Sequence, residues 1–158
     1  MYKSVETYRG FVYPLAIDHV GHMNVQFYTA KFDEASWQFL GRLGMSPSSM
    51  KENNRSFVAL EQRTHYKREA LCGSLLHVAT ELVRIGRSTI RFIHRMFDSE
   101  TNTEVAVTEL TAVYFDTTRR VSAALPDSVS EQASQLLECP DPSRRGLAFG
   151  LERGFSRS

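Results

Sequence analysis

The sequence predicts an α+β domain, a single long helix wrapped by a curved antiparallel sheet of about five strands. Two features predict it. From Val25 to Leu43 apolar residues recur at helical spacing, whereas from Ser56 onward the chain alternates apolar and polar residues in segments joined by short polar turns. Short connections imply antiparallel neighbours. A lone helix with a broad apolar stripe has to bury it against one face of that sheet.

The elements follow in order. Val5–Val12 alternates and carries β-branched and aromatic residues, so it reads as a strand that Pro14 ends. On the helix, Val25, Tyr28, Phe32, Ala35, Ser36, Phe39, Leu40 and Leu43 share one face. Phe27, Ala30 and Trp37 fall off that stripe and mark a second contact surface, within one chain or against a neighbour. Gly44 fits the position just past the helix end. The stretch "SPSSMKENNR" reads as a polar loop. Strands follow at Ser56–Glu69, at "LLHVATELVRIG", at Ser88–Phe97, at Glu104–Phe115 and at "RRVSAAL". Gly86-Arg87 and "SETNT" are the hairpin turns. "PDSVSEQASQLLE" reads as a short helix capped by Asp127 or Ser128. One domain over residues 1–140 is expected, with a Pro-, Gly- and Arg-rich tail at 141–158 loosely ordered or packed on a neighbour.

Composition narrows the classes of function. The chain has 158 residues, 42% hydrophobic and 23% charged, enough for one globular core. A formal net charge of +1 gives no general attraction to nucleic acid. The apolar runs are too short to span a membrane, and no signal segment precedes the first strand. Two cysteines, Cys72 and Cys139, lack metal-like spacing, so a cytoplasmic protein with free thiols is expected. Cys72 reads as a buried thiol, since no residue is marked as its base.

The densest chemistry is "DHVGHMN", Asp18 to Asn24, placed just ahead of the helix. Asn24 is the natural N-cap. Gly21 permits a positive φ and a close approach to a ligand. His19 and His22 have no third ligand at a matching spacing, and two His with one Asp are weak evidence for a site, so no metal is expected. Tyr28 lies on the apolar stripe and reads first as core.

The spacing D-x-x-G-H-x-N-x-x-x-Y, Asp18 to Tyr28, followed by a helix and an antiparallel sheet, resembles the hotdog-fold thioesterases. The branch is the one that includes 4-hydroxybenzoyl-CoA thioesterase, and the likeness covers roughly Tyr8 to Leu125. In that branch Gly follows the Asp by three positions and an aromatic ring by ten, as Gly21 and Tyr28 do here. His22 and Asn24 are similar to the acyl-thioesterase subgroup with D-x-x-x-H-x-N-N-x-x-Y, where this chain has Val25 for the second Asn. Tyr66, Arg68, Glu69 and Gly73 match a Y-x-R-E stretch and turn of the same subgroup, with Ser74 where an acidic residue is usual.

The resemblance implies acyl-CoA thioester hydrolysis with coenzyme A as part of the substrate and no other cofactor. It implies a catalytic role for Asp18 and makes Glu69 a candidate by position; as a plain strand carboxylate, Glu69 would instead pair with Lys67 or Arg68. It places the oxyanion donor at the Val25 backbone N–H, where a helix N-terminus offers unpaired donors and about half a positive charge. Asp18 either attacks the carbonyl to form a mixed anhydride or takes a proton from water, with His22 and Asn24 orienting the water or thioester; in a third scheme Glu69 is the base for water and Asp18 orients a partner. A thiol's pKa of ~8.5 makes coenzyme A a good leaving group, so no strong general acid is needed. Gly21 and Tyr28 are candidates to contact substrate. Arg63, Lys67, Arg68, Arg84, Arg91 and Arg95 are candidates for the coenzyme's phosphates, with Arg87 and the pair Arg119–Arg120 favoured, from either subunit. Aromatic residues beside the site suit an aryl group or a betainyl cation, and a short or medium acyl chain remains open.

One sheet leaves edge strands, and a second copy covers them most simply. A homodimer or dimer of dimers (a homotetramer) is therefore expected. Two rivals stay in view. An acyl-thioester hydratase or dehydratase would give an enoyl product. A non-catalytic acyl-CoA-binding module would bind without turnover.

Overall fold

The computed structural model describes residues 4–137, so the tail expected at 141–158 and Cys139 lie outside the described residues. β1 (Val5–Phe11) leads through a 3-10 turn at Pro14–Ala16 to α1 (Val25–Arg42) and α2 (Pro47–Glu52). Then come β2 (Arg55–Tyr66), β3 (Leu75–Ile85), β4 (Thr89–Asp98), β5 (Glu104–Asp116), β6 (Val121–Ser122) and α3 (Asp127–Leu137). The sheet order is β1-β3-β4-β5-β2, antiparallel at every pairing, with the two-residue β6 attached to β5. Five long strands and one long helix match the expected fold.

The helix buries the predicted stripe. Tyr28, Phe32, Ala35, Ser36, Phe39 and Leu40 are buried against Leu76, Val78 and Leu82 of β3 and Ile90, Phe92 and Met96 of β4. The core has two lobes, one around Phe39 and Phe92 and one around Phe32 and Met23. Between them sits a polar seam. His94 is fully buried, with Nε2 2.9 Å from Ser36 Oγ and Nδ1 2.6 Å from Thr80 Oγ1. Thr80 in turn meets Thr7 at 2.7 Å, so the seam links α1, β4, β3 and β1. Burial pushes the His94 imidazole down to about 3, because a charged ring would have no water.

Several local expectations need correction. Val25 is 55% exposed rather than part of the buried stripe, because it fronts an open cleft at the start of the helix. The loop at 46–55 contains α2: Ser46 caps it by accepting from the Ser49 N–H at 3.3 Å, Pro47 opens it, and Met50 plugs the core. Polarity hid that single apolar anchor. Asp127 opens α3 as its first residue, so neither it nor Ser128 is the cap. "RRVSAAL" forms only the short β6. Cys72 is exposed, since it sits in a turn between β2 and β3 rather than under the sheet. Gly44 takes φ +80° just after the last helical residues, as a helix-ending glycine should. Among the off-stripe residues, Phe27 and Trp37 are half-buried against the core while Ala30 is exposed.

Candidate active site

The stretch before α1 is a tight loop closed on itself. Ile17 and Met23 form an isolated bridge, the Asp18 N–H donates to His22 O at 3.2 Å, and the Gly21 N–H donates to Asp18 O at 3.0 Å. Gly21 has φ +94°, a left-handed conformation that lets the loop reverse within four residues. The Asn24 N–H closes the loop by donating to Ala16 O at 2.9 Å, and the Met23 N–H ties it to the body through Ala70 O at 2.8 Å.

Asn24 performs two tasks there. Its Oδ1 accepts from the Gln26 N–H at 3.1 Å and caps α1, while its Nδ2 donates to Asp18 Oδ2 at 3.0 Å. Asp18 Oδ1 accepts from the Val20 N–H at 2.9 Å. The Asn24 amide, then the Val20 N–H, hold the Asp18 carboxyl below the ordinary carboxylate range. Asp18 is therefore an oriented carboxylate beside the helix N-terminus, and each oxygen keeps further lone-pair capacity. The Val25 N–H, in the first turn, has no acceptor among the described residues.

On the other side, β2 ends at Tyr66 and the chain curls off the sheet. The N–H groups of both Lys67 and Arg68 converge on Val105 O, at 2.8 and 3.1 Å. Glu69 thus stands in a turn beyond the strand, not on it, and its carboxylate faces His22 Nε2 at 3.9 Å. Its expected partners Lys67 and Arg68 are not used: Lys67 pairs with Glu104 instead. Tyr28 is 4% exposed; its hydroxyl donates to Arg68 O at 3.4 Å and accepts from the Ala70 N–H at 3.2 Å. Burial raises the Tyr28 phenol above its ordinary value, which keeps it a donor. The rings of Tyr28 and Tyr66 meet edge to face, 5.2 Å apart.

Between these two walls lies an open cleft of about 330 Å³ lined by His22, Met23, Val25, Tyr28, Tyr66, Lys67, Arg68 and Glu69. It gathers His22, Val25, Tyr28 and Glu69 from the predicted set. Asp18 is not in its lining; it stands behind the Asn24 bond. Met23 and Tyr66 also line the cleft, although neither is among the site residues that the sequence predicts. The signal for Tyr66 lay in its own motif, but reading the strand through to Glu69 hid the point where it leaves the sheet.

The arginines separate from this group. Arg87 lies in the β3–β4 turn, and Arg119 and Arg120 lie in the β5–β6 turn, where the Arg119 N–H donates to Asp116 Oδ1 at 2.9 Å and the Arg120 guanidinium covers the Phe115 ring. Tyr66 pairs with Ala106 and Arg55 with Asp116, so these turns sit at the opposite end of the sheet. At ~3.3 Å per residue the span is about 35 Å. Within one chain they cannot serve the cleft; Lys67 and Arg68 are the cations at its rim. Among the described residues, no three His, Cys, Asp or Glu side chains converge as metal ligands, and no helix is long and apolar enough to cross a membrane.

Known proteins agree with this architecture. A model of the thioesterase-like superfamily matches residues 12–133. A betainyl-CoA thioesterase of Pseudomonas aeruginosa is 23% identical over 155 residues, covering 96% of this chain and 98% of that one. A Staphylococcus aureus protein solved in complex with CoA superposes with a TM-score of 0.79 at 19% identity, over 92% of this chain and 96% of its own. A 1,4-dihydroxy-2-naphthoyl-CoA thioesterase from Synechocystis gives 0.75 at 16% identity, over 87% and 100%. The fold they share is the hotdog.

Proposed function

The chain belongs to the thioesterase-like superfamily, and from that premise we propose that it hydrolyses acyl-CoA thioesters at the cleft beside the N-terminus of α1. The observation that carries this reading is the unclaimed Val25 N–H on the cleft wall, with an oriented Asp18 carboxylate anchored next to it through Asn24. The thioester oxygen sits on the helix N-terminus, where developing negative charge meets the Val25 donor and the helix dipole. Water adds to the carbonyl carbon, the C–S bond breaks, and the sulfur leaves as a thiolate that is protonated to the free coenzyme. Asp18 either removes the water's proton or attacks first and is freed by water in a second step. His22 orients the reacting groups from the loop wall and Glu69 from the opposite one.

A second assignment of the base rests on a specific observation. Glu69 and His22 line the cleft and Asp18 does not. In that scheme Glu69 deprotonates water and Asp18 holds Asn24. Single-turnover rates of Asp18→Asn and Glu69→Gln separate them, the larger loss marking the base.

The acyl group best suited to the rim is small and cationic. Tyr66 is 48% exposed and the Glu69 side chain 70% exposed, so a ring face and a carboxylate both reach a quaternary ammonium. The name of the Pseudomonas aeruginosa relative points the same way. A thiol-release assay with betainyl-, butyryl-, octanoyl- and benzoyl-CoA tests both levels. Release of free thiol supports hydrolysis, and its rank order names the acyl class. An enoyl product would mean dehydration, and tight binding without release would mean a non-catalytic module.

The working unit in this reading is a dimer paired through β2. That strand is one of the two sheet edges and the longer one, twelve residues, with Val58 at 42% and Leu60 at 61% exposure. Antiparallel pairing about a two-fold axis sets the Tyr66 end of one β2 against the Arg55 end of the other. The 117–120 turn of the second copy then approaches the cleft of the first, which is how Arg119 and Arg120 reach a coenzyme phosphate.

A further inference from the structure

We propose that Tyr28 is a positioning residue that sets Glu69 against the helix N-terminus, acting through the backbone on either side of it. The proposal rests on the reading above that Glu69 serves the reaction. Among the described residues the Glu69 carboxylate has no hydrogen-bonded anchor: His22 Nε2, which it faces, is 3.9 Å away, beyond hydrogen-bond range, and the side chain is 70% exposed. Its placement therefore comes from its backbone. That backbone is gripped at both flanking residues by one hydroxyl, since Tyr28 Oη donates to Arg68 O at 3.4 Å and accepts from the Ala70 N–H at 3.2 Å.

The same point is tied to the opposite wall. Ala70 O accepts from the Met23 N–H at 2.8 Å, and Met23 lies between His22 and Asn24. Tyr28 itself is fixed on α1, one turn past Val25, with its ring braced by Tyr66 at 5.2 Å. One side chain thus sets the distance between the Val25 donor and the Glu69 carboxylate. Ala70 is 2% exposed, so its N–H has no water to replace the lost phenol. Without the hydroxyl, the segment 68–70 keeps the bonds from the Arg68 N–H to Val105 O and from the Met23 N–H to Ala70 O, and neither comes from α1.

Tyr28→Phe keeps the ring and deletes the grip. With whichever panel acyl-CoA turns over fastest, the expected result is a fall in kcat of about tenfold with KM within about twofold, as misplacement of a reacting group gives. In a Glu69→Gln background the same substitution changes kcat by less than about twofold, because the residue it acts through is already gone. Hydrogen exchange at the Ala70 amide rises in Tyr28→Phe. An equal loss in both backgrounds, an unchanged kcat, or a protected Ala70 amide in the variant overturns the proposal. If Glu69→Gln alone keeps the parent kcat, the failure lies in the assignment of Glu69, and the positioning role falls with it.

Discussion

Asn24 Nδ2 donates to Asp18 Oδ2 at 3.0 Å from the residue whose Oδ1 caps α1. The loop carboxylate and the helix N-terminus are therefore held by one amide. Asn24→Ala removes the cap, costing about 1 kcal/mol, and also releases Asp18. Asn24→Ser restores a capping oxygen without the amide donor. Denaturant midpoints should recover in the Ser variant while kcat stays low. Recovery of both would show that Asn24 only caps.

The buried seam predicts an acid-sensitive core. The folded His94 value of about 3 lies below the ordinary 6.5, so the unfolded chain binds the proton first. Stability is full above pH 6.5 and falls as pH drops from there toward 3. The whole interval is worth on the order of 5 kcal/mol. Urea unfolding between pH 7 and 5 should show the decline, and His94→Gln should flatten it. A parent protein equally stable at pH 7 and 5 would contradict the assignment.

Gly21 makes a backbone prediction. An added Cβ would meet nothing within 4 Å, so only its φ of +94° resists substitution. Gly21→Ala should destabilise by about 1–3 kcal/mol and, by loosening the 18–24 loop, lower kcat. Thermal unfolding checks the first and steady-state kinetics the second. A neutral Ala variant would mean the loop tolerates another conformation.

Edge pairing through β2 is open to a direct test by sedimentation. The parent should run as a dimer or a multiple of one. Leu60→Lys, which places a charge at the proposed axis, should shift it toward monomer and cut turnover. A monomeric parent with full activity would remove the second copy from the site.

Most of the fold was legible because its signals are periodic. The stripe from Tyr28 to Leu40 and the alternation of β3 to β5 each repeat over ten residues or more. What escaped rests on single residues: Met50 anchoring α2, or the Val105 carbonyl drawing Lys67 and Arg68 off the sheet. The site divides in the same way. Asp18, Gly21, His22, Asn24 and Val25 lie in one short stretch, so their spacing could be read. Glu69 and Tyr66 join them only because β2 ends where it does. Arg87, Arg119 and Arg120 carry charge whose place the sequence does not fix, and register puts them at the far end.

The most direct measurement is single-turnover thiol release by Asp18→Asn at saturating acyl-CoA, with circular dichroism to confirm the fold. The expected result is a loss of about 10²–10⁴-fold with an unchanged spectrum. Release at the parent rate would contradict the claim that this carboxylate and the end of α1 split the thioester together.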